Sequence, residues 1–212
     1  MQFRHPLLAI LIALAAASPA DAQCILANPS FEMQGSGGQL FAGWNQFGIT
    51  TATTIADHGS LAARVVGPDA GDWALSAFWQ PQDSAPGERW EATGRVQHDS
   101  GQPLTGDSRA IVNIEWRDAA DQLIDYETFI VAAPSSPEDE YLEFSIVSLP
   151  APEGTASTRL LLAVLQSPVD PAPSVRYDAV TFYSQGPPSI DDVQWNDFPG
   201  GRTLTFAGRQ WR

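Results

Sequence analysis

The sequence predicts an all-β fold, an antiparallel sandwich of two sheets, and three observations carry that expectation. Apolar and polar residues alternate in short runs from Trp44 to Tyr183. Turn-forming clusters of Gly, Pro, Asp and Asn interrupt those runs about every ten residues. No run beyond the first 22 residues carries an apolar stripe of helical period.

Residues 1–22 read as a signal peptide. Arg4 lies in a short basic region, Leu7 to Ala17 are apolar, and Ala20-Asp21-Ala22 is a small-x-small cleavage site. The apolar run is too short to span a bilayer, so the expected product begins at Gln23 and is secreted or periplasmic. Residues 23–185 are enough for one β-domain with a real core.

Ile25–Glu32 is expected as the opening strand, followed by a Gly- and Ser-rich loop that delivers Trp44. Gly48–Ile55, Leu61–Val66 and Trp73–Gln80 read as strands, the last ended by Pro81. In the next strand Trp90, Ala92, Gly94 and Val96 share one parity, and Glu91, Thr93, Arg95 and Gln97 the other, the alternation of a half-buried antiparallel strand. Ile111–Trp116 alternates likewise, with Asn113 and Glu115 on its polar side, and Asp118–Asp121 turns it into a hairpin with Leu123–Val131. Tyr141–Leu149 follows, then Arg159–Gln166, apolar on both parities as a doubly covered central strand is, then the closing Val175–Tyr183.

The formal net charge is −14, every basic residue is Arg, and removal of residues 1–22 leaves the balance unchanged. Such a surface repels phosphate backbones and anionic lipid, so neither nucleic acid nor membrane is an expected partner; a neutral glycan meets no such barrier. Cys24 is the only cysteine, which rules out an intrachain disulfide. Its expected state is a free or intermolecular thiol.

Four motifs occur in order: Asn28-Pro29-Ser30-Phe31-Glu32, Gly43-Trp44, the turn Asp57-His58-Gly59-Ser60 leading into a strand, and Tyr177-Asp178-Ala179-Val180. Together they resemble the jelly-roll, galactose-binding-like carbohydrate-binding modules of families 4, 9 and 22, over roughly Cys24 to Gln185. The resemblance implies a polysaccharide or oligosaccharide ligand, no catalysis, and attachment to a glycoside hydrolase. It also implies a structural Ca²⁺ held by the side chains of Glu32 and Asp178 with oxygens near Asn28 and Ser60. Two carboxylates beside buried aromatics on terminal strands need a partner, and a cation is one. The alternative leaves Glu32 a solvated strand-end acid and Asp178 a turn former or the partner of Arg176.

Sugar rings present flat C–H faces edged with hydroxyls, so a site needs an exposed aromatic beside planar hydrogen-bonding groups. Trp44 and Trp73 are the candidate platforms, flanked by Gln80 and Tyr126. Arg95, Gln97, Asn113 and Glu115 are the candidate polar lining on one sheet face, with an Arg95–Glu115 surface pair as the alternative. Trp90 and Trp116 share parity with aliphatics and are expected in the core.

Catalytic groups are not expected. His58 and His98 share no metal-ligand spacing, Asp57, His58 and Ser60 are too close in one turn to form a triad, and Glu138-Asp139-Glu140 reads as a solvated loop. Residues 186–212 read as a linker and the start of a second domain, with strand starts at Ile190–Asn196 and Thr203–Phe206. Asn196-Asp197-Phe198 and Thr205 to Arg212 are similar to the entry strand of family 16-like glycoside hydrolases. Two other readings therefore stand: the front part of a longer secreted hydrolase, or an extracellular adhesion sandwich, since fold does not fix function.

Overall fold

The structure, a computed structural model, describes residues 24–186, 193–198, 201–206 and 209–211. Ten strands form the sandwich: β1 (Asn45–Phe47), β2 (Ile49–Thr53), β3 (Ala62–Val66), β4 (Ala74–Asp83), β5 (Trp90–His98), β6 (Arg109–Arg117), β7 (Leu123–Ala132), β8 (Leu142–Val147), β9 (Ser157–Gln166) and β10 (Ser174–Ser184). They pair antiparallel in two five-stranded sheets. The first has the order β1-β4-β9-β6-β7 and the second β2-β3-β10-β5-β8. This is the expected jelly-roll sandwich.

Every long strand sends one parity inward. Phe78 of β4, Val112 and Ile114 of β6, and Leu160 and Leu162 of β9 meet Trp90 and Val96 of β5 and Val175, Tyr177 and Phe182 of β10, all almost wholly buried. Trp90 stacks on Phe182 at 4.5 Å between ring centres, and Trp90 and Trp116 lie in the core as expected. Strand β9 is central and buried on both faces, because Leu161 and Ala163 form a second cluster with Ala77 and Ile111 on its outer side.

Tyr177 ties the two sheets together. Its ring is in the core, and its hydroxyl donates to the carbonyls of Ile111 on β6 (3.0 Å) and Ala163 on β9 (2.8 Å). Burial pushes the phenol far above its ordinary pKa, so it remains a donor. Tyr177→Phe is expected to cost about 1–3 kcal/mol, because two buried carbonyls lose a partner; urea unfolding measures it.

Three expectations need correction. The opening stretch Ile25–Glu32 is not a strand: Asn28 and Phe31 are left-handed (φ 53° and 59°), and only two backbone bonds dock the stretch on β10. Those are Ile25 N–H to the Phe182 carbonyl (3.1 Å) and Val180 N–H to the Pro29 carbonyl (2.9 Å). The loop before Gly48 contains the short strand β1. Finally, β4 runs through Pro81 to Asp83; Pro81 is tolerated because β1 pairs only with Ala77–Trp79, leaving that side of β4 without a neighbour.

Strands β11 (Val193–Phe198), β12 (Gly201–Phe206) and β13 (Arg209–Trp211) form a separate antiparallel sheet by backbone pairing. Residues 1–22, expected as a signal peptide, and Ile190 lie outside the described residues.

Candidate glycan-binding face

The outward parity of the first sheet builds a groove whose residues follow from strand register. In one row across the sheet Trp79 of β4 stands opposite Leu161 of β9, which stands opposite Asn113 of β6, which stands opposite Thr128 of β7. The next row is Pro81, Arg159, Glu115 and Tyr126. On the other side Phe47 extends the row of Ala77, Ala163, Ile111 and Ile130, whose two alanines keep the floor low. The resulting groove has a volume of about 390 Å³, walled by Phe47, Leu75 and Trp79 on one side and by Glu115, Arg117 and Arg159 on the other. A second hollow of about 300 Å³, at Gly37–Gln39, Asn45 and Gln46, shares Trp79 with it.

Aromatic rings stand at both ends. Trp79 is half-buried, while Phe47 and Tyr126 are 42% and 54% exposed. From β4 to β7 is three inter-strand steps, about 14 Å, so a chain of several sugar rings fits across the strands.

The charges between the rings cancel. Glu115 Oε2 accepts from Nε (3.1 Å) and Nη2 (2.8 Å) of Arg117, which also donates to the Asp121 carbonyl (2.9 Å). Arg159 donates to the Asp121 carboxylate at 2.5 Å, and its guanidinium carbon lies 4.2 Å from the centre of the Trp79 ring. The groove therefore joins an apolar wall to charges that cancel once Asp121 is counted, which suits sugar rings and their hydroxyls rather than a strongly charged polymer.

The outer face of the second sheet carries a smaller hollow of about 240 Å³ at Thr93, Gly94, Arg95, Glu143 and Ala179, with no aromatic lining, and most of its other polar groups are tied to one another. Gln97 is buried and accepts from Arg176 (2.8 Å), whose other arm reaches Asp99. Arg95 lies between Asp57 (3.6 Å) and Glu143 (3.4 Å). Tyr141 donates to the Ile55 carbonyl (2.9 Å), and the turn after it covers Asp178.

Two groupings expected from sequence are thus redrawn. Arg95 and Gln97 belong to β5 of the second sheet, whereas Asn113 and Glu115 belong to β6 of the first, so the four do not line one face, and Arg95 and Glu115 do not pair. Trp44 is not an exposed platform: it is wholly buried, 4.8 Å from the Phe31 ring, with its indole N–H on the Asn28 carbonyl (3.0 Å). Trp73 is 52% exposed just ahead of β4, two residues before Leu75 of the groove wall. Gln80 is buried, bonded to the backbone of Ala27, while Tyr126 does flank the groove row. Arg159 is the groove residue sequence reasoning leaves out, and Trp79, which shares parity with Leu75 and reads from sequence as evenly balanced between core and platform, is half-buried at the groove.

The paired acids Glu32 and Asp178 hold opposite ends of one turn. Asp178 Oδ2 accepts from the N–H groups of Asp57 and His58, both at 2.8 Å, and Oδ1 from that of Ala179 at 2.7 Å. Glu32 Oε1 accepts from the N–H groups of Ser60 and Leu61, both at 2.9 Å. Gly59 between them is left-handed, and a Cβ there would fall 2.4 Å from Glu32 Oε1. A bulge follows Asp178 in the β10–β5 ladder, with Ala179 at φ 47°. Asn28 is already engaged: its side chain holds Met33 through two bonds, and its carbonyl holds Phe31 and Trp44.

The N–H donors of Leu61 and Ser60 hold the Glu32 carboxyl below its ordinary pKa, and Ser100 does the same for Asp139. Both acids therefore add stability that is present above about pH 4 and lost as pH falls through their lowered values. Urea unfolding at pH 7 and pH 3 is expected to show that loss, and Glu32→Gln to flatten part of it. Burial, by contrast, raises the pKa of Asp178, only partly offset by the N–H donors of His58, Ala179 and Asp57. Ionising it costs the fold, so its own contribution improves as pH falls.

No family model and no curated protein matches this sequence. Solved structures do match. The family 22 xylan-binding domain from Paenibacillus barcinonensis superposes with TM-score 0.52 at 18% identity, over 80% of this chain and 99% of that one. The carbohydrate-binding and family 10 catalytic modules of Clostridium thermocellum xylanase 10B, complexed with xylohexaose, give 0.53 at 19%, over 79% of this chain and 29% of that one. The enzymatically active domain of bacteriophage CBA120 tailspike protein 4 gives 0.53 at 14%, over 76% of this chain. This chain spans only 21% of that tailspike domain. At these identities the likeness is one of architecture, and the architecture is the jelly-roll sandwich of carbohydrate-binding modules.

Proposed function

We propose that the protein is an exported, non-catalytic module that binds a polysaccharide across the outer face of its first sheet and works joined to a glycoside hydrolase. One observation carries the reading: among the described residues the groove on the outer face of β1-β4-β9-β6-β7 is the larger hollow and is flanked by aromatic rings, whereas the hollow on the other sheet, at Thr93, Gly94, Arg95, Glu143 and Ala179, has no aromatic lining. Stacking on Tyr126 and on the part of Trp79 that Arg159 leaves uncovered, plus hydrogen bonds to ring hydroxyls, is binding chemistry, with an affinity on the order of micromolar to millimolar. Both acids at the groove, Glu115 and Asp121, are engaged by arginines, which suits binding better than the paired free carboxyls of a hydrolase. Affinity electrophoresis in gels containing soluble plant and microbial polysaccharides tests this: retardation by at least one is expected, and uniform mobility in all of them contradicts it.

The three strands β11–β13 after residue 186 support one addition, that a second domain begins there; a longer hydrolase with the sandwich at its front is the second reading.

A structural Ca²⁺ forms part of the proposal. Asp178 is fully buried, and among the described residues no arginine pairs with it, since Arg176 turns to Gln97 and Asp99. A hard cation beside it removes that cost. Glu32 and Asp178 are the side chains that would hold the ion. No group of three or more His, Cys, Asp or Glu is found among the described residues, so an ion there would take its remaining oxygens from backbone carbonyls or water. Calcium is expected to raise the melting temperature and chelator to lower it, with no response in Asp178→Asn; indifference of the native protein to chelator contradicts the ion.

A further inference from the structure

We infer that the groove selects sugars presenting two neighbouring free hydroxyls on one ring, with Glu115 accepting from one hydroxyl and Arg159 donating to the other. The inference rests on the glycan reading above. Glu115 and Arg159 face each other directly across the β6–β9 ladder. Opposite charges at such a position have Cβ atoms about 5 Å apart and ordinarily pair. Here they do not. Glu115 is held along its own strand by Arg117, and Arg159 is drawn aside to Asp121 and flattened on Trp79.

Both groups keep unused capacity. The hydrogen bonds to Glu115 all fall on Oε2, so Oε1 accepts from no described residue. Arg159 spends only Nη2 on Asp121, so Nη1 donates to no described residue, its buried Nε being out of reach of a ligand; both side chains border the groove. A carboxylate that can only accept and a guanidinium that can only donate, one strand spacing apart, complement a pair of adjacent hydroxyls, each of which does both. Because Arg159 lies against Trp79, the hydroxyl it binds belongs to a ring beside that indole.

Blocking those hydroxyls leaves Glu115 and Arg159 without the partners the groove is shaped for. Sites of that kind reject analogues lacking the hydrogen-bonding group far more strongly than apolar pockets reject a change of size. The expected ligands are 1,4-linked pyranose chains, whose residues keep two adjacent ring hydroxyls free. Chains acetylated at those hydroxyls, or 1,3-linked glucan, in which no two free ring hydroxyls are adjacent, are expected to bind poorly.

Titration calorimetry with soluble 1,4-linked xylan, glucan and galactan, each native and O-acetylated, tests the inference on the wild-type chain and on Glu115→Gln, Arg159→Met and Trp79→Ala. Thermal melts verify that each variant is folded. The wild type is expected to prefer a native polymer by about tenfold or more, and Glu115→Gln and Arg159→Met each to lose about tenfold and most of that preference. Equal binding of native and acetylated polymer, or variants that keep the preference, while Trp79→Ala abolishes binding, overturns the hydroxyl-pair inference and leaves the glycan site standing. A 1,3-linked glucan is titrated alongside; failure of the wild type to bind any of these polymers overturns the glycan reading and this inference with it.

Discussion

Trp79→Ala is expected to remove polysaccharide binding, by about thirtyfold or more, while the domain stays folded. The magnitude follows from truncating an aromatic anchor shared by both hollows, which costs about 2 kcal/mol or more. Trp79 lines both hollows on the outer face, so no other single ring replaces it. Its neighbours Leu75, Ala77 and Leu161 belong to the small outer cluster rather than the main core, so the loss of stability is expected to be modest. Tyr126→Ala, at the far end of the groove row, is expected to weaken binding less, since one ring of a ligand several residues long loses its support. Retardation of each variant in polysaccharide gels, beside its melting temperature, gives both readouts.

Trp44→Ala is expected to do the reverse. Wholly buried with Phe31, Phe41 and Phe78 at ring-centre distances of 4.8 to 6.2 Å within that group, it is expected to cost about 3–5 kcal/mol and lower the melting temperature by on the order of 10 °C. The indole also satisfies the Asn28 carbonyl, which is left with one fewer donor. Any fall in binding would then track the unfolded fraction. A Trp44→Ala variant with unchanged melting temperature and abolished binding would instead place this residue at the sugar.

The contrast between these two tryptophans shows what local sequence carries. Alternation told which residues of β5 and β6 share a face, and it told correctly that Trp90 and Trp116 turn inward. It held no information about which sheet each strand joins, because β5 and β6 are consecutive in the chain yet the connection crosses the sandwich. Arg95 and Gln97 were therefore grouped with Asn113 and Glu115 across a barrier that only long-range pairing creates. Trp44 is hidden for a similar reason. Its Gly-rich approach resembles a flexible loop, but Gly43 is left-handed because the opening stretch presses against it: a Cβ there would lie 2.6 Å from the Ala27 Cβ.

The opening stretch itself read as a strand from its apolar residues. Asn28 and Phe31 leave the β region because Asn28 closes a turn on Met33, and the backbone then docks on β10 by two bonds instead of a ladder. The acid pair was the most legible long-range feature. Glu32 and Asp178, 146 positions apart by their numbering, hold N–H groups of one five-residue turn, Asp57 to Leu61. What the sequence did not show is that both carboxylates take those N–H groups as well, so the clasp has strength of its own before any ion is added.

The central claim, that glycan binds on the outer face of β1-β4-β9-β6-β7, is tested most directly by following the indole N–H signals of the seven tryptophans by NMR during titration with a soluble polysaccharide that retards the protein. The account predicts a large shift of the Trp79 signal, assigned through its variant, with Trp44, Trp90 and Trp116 unmoved. A titration that leaves Trp79 in place and instead moves Arg95 side-chain signals, or those of other groups on the second sheet, would contradict it.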